Sequence, residues 1–154
     1  MDSINSQIAT IDRRLADAMR HSEACRAIAA MPGVGVLTAT AAVAAIGDAK
    51  LFRSGREFAA SLGLVPRQTG TGGRIRQLGI SKRGDPYLRT LLMHGARAII
   101  ARKSHRCPWI RGLLERRPYS VVVAAIANKL ARTIWAILAR GQQYEPGRFS
   151  PAAH

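Results

Sequence analysis

The sequence predicts an all-α domain that carries a helix-hairpin-helix motif and a Gly-rich basic loop behind an amphipathic linker helix. Three observations lead there. Apolar residues recur three and four positions apart through most of the chain, which places them on one side of a 3.6-residue helix. No stretch alternates apolar and polar residues long enough to compete as a strand, leaving room only for a small hairpin in the glycine-rich segment. The breaks between periodic runs carry helix punctuation, namely Pro32-Gly33-Val34-Gly35, Gly47-Asp48, Asp85-Pro86, Pro118 and Gly141. On this division residues 1–28 are the linker helix, 29–141 the folded domain and 142–154 a tail.

Ile4, Ile8, Ile11, Leu15 and Met19 repeat at helical spacing with charged residues opposite, so the first helix is amphipathic. So short a stripe suits a coiled coil and packing against the domain equally. The Pro-Gly-Val-Gly turn then leads into a run of small residues over Val36 to Ile46. Pro32 stops the preceding helix, Gly33 and Gly35 supply backbone freedom, and the free N–H groups opening the next helix can face a phosphate. The same four residues also suit a tight interhelical turn with no ligand. Ser54-Gly55-Arg56-Glu57 is a capping box for a short helix that stops at Gly63. Residues 66–79, PRQTGTGGRIRQLG, hold four glycines, the hydroxyls of Thr69 and Thr71, and Arg67, Arg74 and Arg76. This segment reads as a loop or loose hairpin, and it lacks the GK[ST] ending of a nucleotide-hydrolysing loop. Asp85 caps and Pro86 opens a helix to about Lys103, with Leu88, Leu91, Leu92, Ala96, Ile99 and Ile100 inward and His94 as a surface or packing residue. Pro108 opens a short helix, and Tyr119 to Arg140 forms the last one.

A chain of 154 residues with 47% hydrophobic residues supports a real core, and 24 Lys+Arg against 9 Asp+Glu give a formal net charge of +15 that points to a polyanion. The first 65 residues are nearly neutral, while residues 66–118 carry eleven of the fifteen net charges. A merely solvated face interleaves acids, and here they are almost absent. With 5% aromatics, phosphate contact outweighs base stacking. Gly33, Gly35, Arg67, Arg74, Arg76, Lys82, Arg83 and Arg89 are the expected nucleic-acid contacts. Cys25 and Cys107 stand apart, and His21, His94, His105 and His154 form no paired motif, so no metal site is expected. The apolar stretch 121–138 is interrupted by Asn128, Lys129 and Arg132, and no leader-like segment opens the chain. The expected setting is cytoplasmic, at the nucleoid, with no membrane partner.

The PGVG turn, FAASLGLVPRQ over 58–68, the TGTGG loop, GISKRGDPYLRTLLMHGAR over 79–97 and NKLARTIWAILARG over 128–141 occur in an order and spacing that resemble a known family. It is the C-terminal transposase domain of the insertion-sequence 110 family, in particular its IS-eleven-eleven subgroup, and the likeness covers about residues 20–145. The resemblance implies a site-specific DNA recombinase guided by a structured RNA from its own element and working as a dimer or tetramer. It further implies an acidic N-terminal RNase H-like domain that holds Mg2+, and a serine of the Gly-rich loop that attacks a phosphodiester and becomes joined to DNA. Two departures accompany it. The acids of this chain are scattered, so no cofactor is expected in it, and it reads as a fragment inactive alone. Where the family has serine, this sequence offers Thr69, Gly70 and Thr71, with Ser81 as a further hydroxyl that suits phosphate positioning or helix capping. The opposing reading is a stand-alone basic helix-hairpin-helix protein that binds nucleic acid without catalysis.

Overall fold

The first helix ends where a short polar side chain can do better than continue it. In the computed structural model, which describes residues 1–104 and 106–147, α1 runs Asp2–His21 and the chain turns extended at Ser22 (φ −107°, ψ 111°). The Ser22 hydroxyl accepts from the Cys25 N–H and so caps a separate helix, α2 (Glu23–Ala29). The helix expected across 1–28 is therefore two. Cys25 and Ile28 of α2 are buried, whereas α1 buries no residue and leaves Ile4, Ile8 and Ile11 63%, 51% and 55% exposed. Met19, at its end, packs against the core. His105, His154 and the rest of the expected tail, 148–154, lie outside the described residues.

After the turn at 30–35 comes α3 (Val36–Ile46), whose Ala39 and Ala42 are fully buried and permit close helix packing. A 3-10 turn at Ala49–Leu51, capped by the Asp48 carboxylate on the Lys50 N–H, leads to α4 (Gly55–Ser61). The Ser54 hydroxyl accepts from the Glu57 N–H, and the Glu57 carboxylate accepts from the Arg53 N–H, one residue earlier than the usual reciprocal box. Two antiparallel strands follow, β1 (Pro66–Thr71) and β2 (Arg74–Ile80). Then come α5 (Pro86–Lys103), α6 (Pro108–Arg116) and α7 (Tyr119–Arg140), with Gly141 left-handed at the last C-terminus (φ 64°).

The fold is thus mostly helical, and the all-α expectation is corrected at one place, residues 66–80, where the loop is a regular hairpin. Its strands escaped the period-2 test because that test seeks an alternation with one buried face, and both faces here are in water.

α7 is the central post. By length and composition it could cross a membrane, but Val122, Val123, Ile126, Ala127, Leu130 and Ile134 are buried in the domain, with α4 and α5 packed most extensively against the helix. Phe58 of α4 and Leu88 and Leu92 of α5 meet them fully buried, each contributing about 1.5–3 kcal/mol by removal from water. The polar groups this packing buries are satisfied: Trp135 Nε1 donates to the Ala49 carbonyl at 2.9 Å and Asn128 Nδ2 to the Leu64 carbonyl at 3.0 Å. The Asn128 bond ties α7 to the segment from which the hairpin leaves the core.

Candidate nucleic-acid interface

Gly72 and Gly73 have φ 65° and 80°, the two consecutive positive values that a two-residue type I′ loop needs and that matches the twist of the flanking strands. Thr71 faces Arg74, Gly70 faces Ile75 and Thr69 faces Arg76, with an irregularity between Pro66 and Gln68 at Arg67. Directly opposed residues share a side of a sheet, and so do residues two apart on one strand. Thr69, Thr71, Arg74 and Arg76 therefore occupy one face. Two hydroxyls on β1 stand opposite two guanidiniums on β2, all exposed, and neither arginine pairs with a carboxylate among the described residues. Arg74 and Arg76 are held about 7 Å apart along β2. Their mutual repulsion is relieved by an anion between them.

At position 70 a Cβ would come within 2.9 Å of the Arg74 carbonyl oxygen, so the backbone itself favours glycine there. Ser81 lies beyond the far end of β2, about 20 Å from the hairpin tip by strand rise. Its hydroxyl accepts from the Arg83 N–H at 3.4 Å, and its own N–H donates to the Val65 carbonyl at 2.9 Å. The structure thus brings Thr69 and Thr71 together and leaves Ser81 apart.

The loop 81–85 is anchored to the end of α4. The Lys82 N–H donates to the Gly63 carbonyl at 3.1 Å with Lys82 itself at φ 55°, a conformation that costs a side-chain-bearing residue about 1–2 kcal/mol. The side chains of Lys82 and Arg83 are exposed. Arg89 is half-buried, and its Nη1 donates to the Leu62 carbonyl at 3.1 Å, closing the C-terminus of α4. Asp85 accepts from the Tyr87 and Leu88 N–H groups, so the α5 N-terminus already carries its anion.

Gly33 (φ 77°) turns inward: a Cβ on it would lie 2.7 Å from the Gly95 oxygen of α5 and 2.9 Å from Ile99 Cδ1. Gly35 is exposed, with no atom within 4 Å of a Cβ built on it, and it opens α3 without any side-chain cap on the first N–H groups. The sequence reading missed Arg56. With Ser54, Glu57, Ala60, Val65, Pro66 and Gln68 it lines an open cleft of about 550 Å³ at the foot of the hairpin. Its place beside a capping serine had marked it only as a helix start. Lys129 stands over the Trp109 ring, 4.4 Å from its centre. Burial pushes its ammonium below the usual lysine value, opposed by Cys107 and reinforced by Arg132. That charge faces inward and belongs to the packing of α6 on α7.

The family model described as Transposase IS116/IS110/IS902 family matches residues 25–112. A probable family 20 transposase of Pseudomonas aeruginosa is 48% identical over 151 residues, 96% of this chain and 45% of that protein. The transposase for insertion sequence element IS1111A of Coxiella burnetii is 40% identical over 144 residues, 91% of this chain and 40% of that protein. The transposase for insertion sequence element IS1328 of Yersinia enterocolitica is 41% identical over 139 residues, 88% and 42% of the two chains. The chain spans less than half the length of these relatives.

Proposed function

This chain belongs to the Transposase IS116/IS110/IS902 family, and from that premise we propose that it is the DNA-handling part of a transposase. The exposed hairpin grips the phosphate backbone at the place of strand transfer. The observation that supports this reading is the single hairpin face that Thr69, Thr71, Arg74 and Arg76 share. Guanidiniums bind and orient the phosphates on either side of a target phosphodiester. A threonine hydroxyl across the strand pair from them stands in the loop where the serine of the resembling family would attack. In that step an Oγ–P bond forms and one P–O bond of the strand breaks. The phosphoryl group is kept on the protein, and the departing strand end takes up a proton. Lys82, Arg83 and Arg67 extend the grip without reading sequence.

The turn before α3 belongs to the same reading as a helix-hairpin-helix element. Gly35 leaves the first N–H groups of α3 open to a phosphate, while Gly33 holds the turn against α5. Gly35→Val is expected to keep its thermal transition within a few degrees of the parent and to weaken duplex binding severalfold. Unchanged binding assigns the turn a connecting role.

Magnesium, which the resemblance implies, does not fit this chain: among the described residues no three His, Cys, Asp or Glu side chains gather. No step here passes through it. The exposed stripe Ile4, Ile8 and Ile11 of α1 suits a second copy in a dimer or tetramer, and an element-derived guide RNA completes the proposed assembly in the cytoplasm at the nucleoid.

The reading is tested by neutralising the hairpin face. In the folded Arg74→Gln/Arg76→Gln variant, the plot of log affinity for duplex DNA against log salt is expected to lose about two units of slope, roughly 0.9 per lost phosphate contact, whatever the sequence. A slope equal to the parent's rejects the hairpin as the phosphate grip.

A further inference from the structure

The hairpin and its loop account for only part of the basic charge. Residues 91–118 carry seven more basic residues against Glu115 alone. The exposed Arg97, Arg102 and Lys103 belong to α5, and the exposed Arg106 follows in the connection to α6. Both the Arg106 and the Cys107 N–H donate to the Lys103 carbonyl, at 3.0 and 3.1 Å, which folds the connection tightly onto the end of α5 and holds Arg106 beside Lys103. None of these four pairs with a carboxylate among the described residues. Cations in a last helical turn favour the helix dipole, but Arg97 lies nearly two turns earlier and Arg106 lies outside the helix, so the dipole does not explain the group.

The rest of α5 is shaped to match. Thr90, His94, Arg97 and Ala101 recur at spacings of four, three and four, all exposed on one stripe, and the helix contains no acidic residue. From Pro86 to Lys103 it is about 25 Å long at 1.5 Å per residue. Its N-terminus adjoins Lys82 and Arg83 at the hairpin's foot, and its C-terminus bears the second basic group. We infer that α5 is a track for one DNA duplex, whose phosphates are held at its far end by Arg102, Lys103 and Arg106, about seven base pairs from the Lys82–Arg83 contact at 3.4 Å per pair. This inference rests on the proposed function for the identity of the ligand as DNA. Between the ends the stripe carries Arg97 as a further cation, and the shorter Thr90 and Ala101 beside it let the backbone approach closely.

The test uses the full chain and a 24-base-pair DNA duplex of arbitrary sequence, with affinity followed by fluorescence anisotropy between 50 and 200 mM salt, about the range over which such contacts titrate. Arg102→Gln/Lys103→Gln/Arg106→Gln, with parental circular dichroism, is expected to lose between two and three units of salt slope, about 0.9 per contact, and about 10–100-fold in affinity. Arg13→Gln/Arg14→Gln/Lys50→Gln, which removes the same charge from the neutral part of the chain, is expected to lose much less. Equal losses in the two triple variants overturn the track, because only the overall field is then felt. An unchanged slope in the first triple variant overturns it while leaving the hairpin reading intact. If the first triple variant loses slope and Arg74→Gln/Arg76→Gln does not, the track stands and the hairpin reading falls. A larger loss of slope on a 24-base-pair RNA duplex than on DNA overturns the assignment of the track to DNA.

Discussion

Gly84→Ala is expected to unfold the protein at ordinary temperature or to lower its thermal midpoint by roughly 10 °C or more, as followed by far-ultraviolet circular dichroism. Gly84 has φ 110°, which L residues rarely adopt, and a Cβ there would run into the Ser61 carbonyl oxygen. The conformational penalty is about 1–3 kcal/mol, and displacing a packed backbone adds about as much again. The total is a large part of the 5–15 kcal/mol typical of a domain. Gly95→Ala is the sharper form of the same test, because two effects oppose. Alanine in a helix interior is favoured over glycine by about 1 kcal/mol, yet a Cβ at Gly95 would collide with the Gly33 carbonyl oxygen. Neither backbone can move without opening the contact between the turn and α5, so the collision wins and this variant too is destabilised. Gly95→Ala more stable than the parent would show that the turn is free of α5.

The second large effect is chemical. With a relative's acidic domain supplied in trans, together with that relative's guide RNA and site DNA, the Thr71→Ser or Thr69→Ser chain is expected to form a covalent adduct with a radiolabelled strand on a denaturing gel. The unmodified chain by itself forms none. Serine removes the methyl that crowds in-line attack, on the face that Arg74 and Arg76 share. Gly70→Ser fails, because its Cβ meets the Arg74 oxygen at 2.9 Å and position 70 sits on the opposite face from the arginines. An adduct from the unmodified chain alone would overturn the reading that it is inactive by itself. Rescue only through position 81 would place the nucleophile about 20 Å away, at the hairpin's foot.

Much of the helical frame is written locally. Asp85-Pro86, Pro108, Pro118 and Gly141 fix the ends of α5, α6 and α7 through missing N–H groups, side-chain caps and a left-handed residue, all of which a single chain displays. The break at Ser22 was hidden because the residues around it keep a helical period, and only the serine's capping bond turns the chain. The Gly33–Gly95 contact joins positions 62 apart. Both glycines look locally like flexibility, and their close approach is a tertiary fact. Likewise the cluster of basic residues around the TGTGG segment was plain, but the sharing of one face by Thr69, Thr71, Arg74 and Arg76 depends on strand register. Gly72-Gly73 sets that register through the handedness of its loop.

The hairpin takes almost nothing from the core and gives almost nothing to it: residues 66–76, Leu78 and Gly79 are exposed, and Ile80 packs inward. Its stability and that of the helical post are therefore separate quantities. Charge and hydroxyl on the hairpin face can change with little cost to the core, whereas Gly63, Gly84 and Gly95 leave no such latitude. A fold divided in this way is evolvable where it meets solvent and fixed where it meets itself, so on the proposed function a new target can be acquired without rebuilding the domain that presents the hairpin.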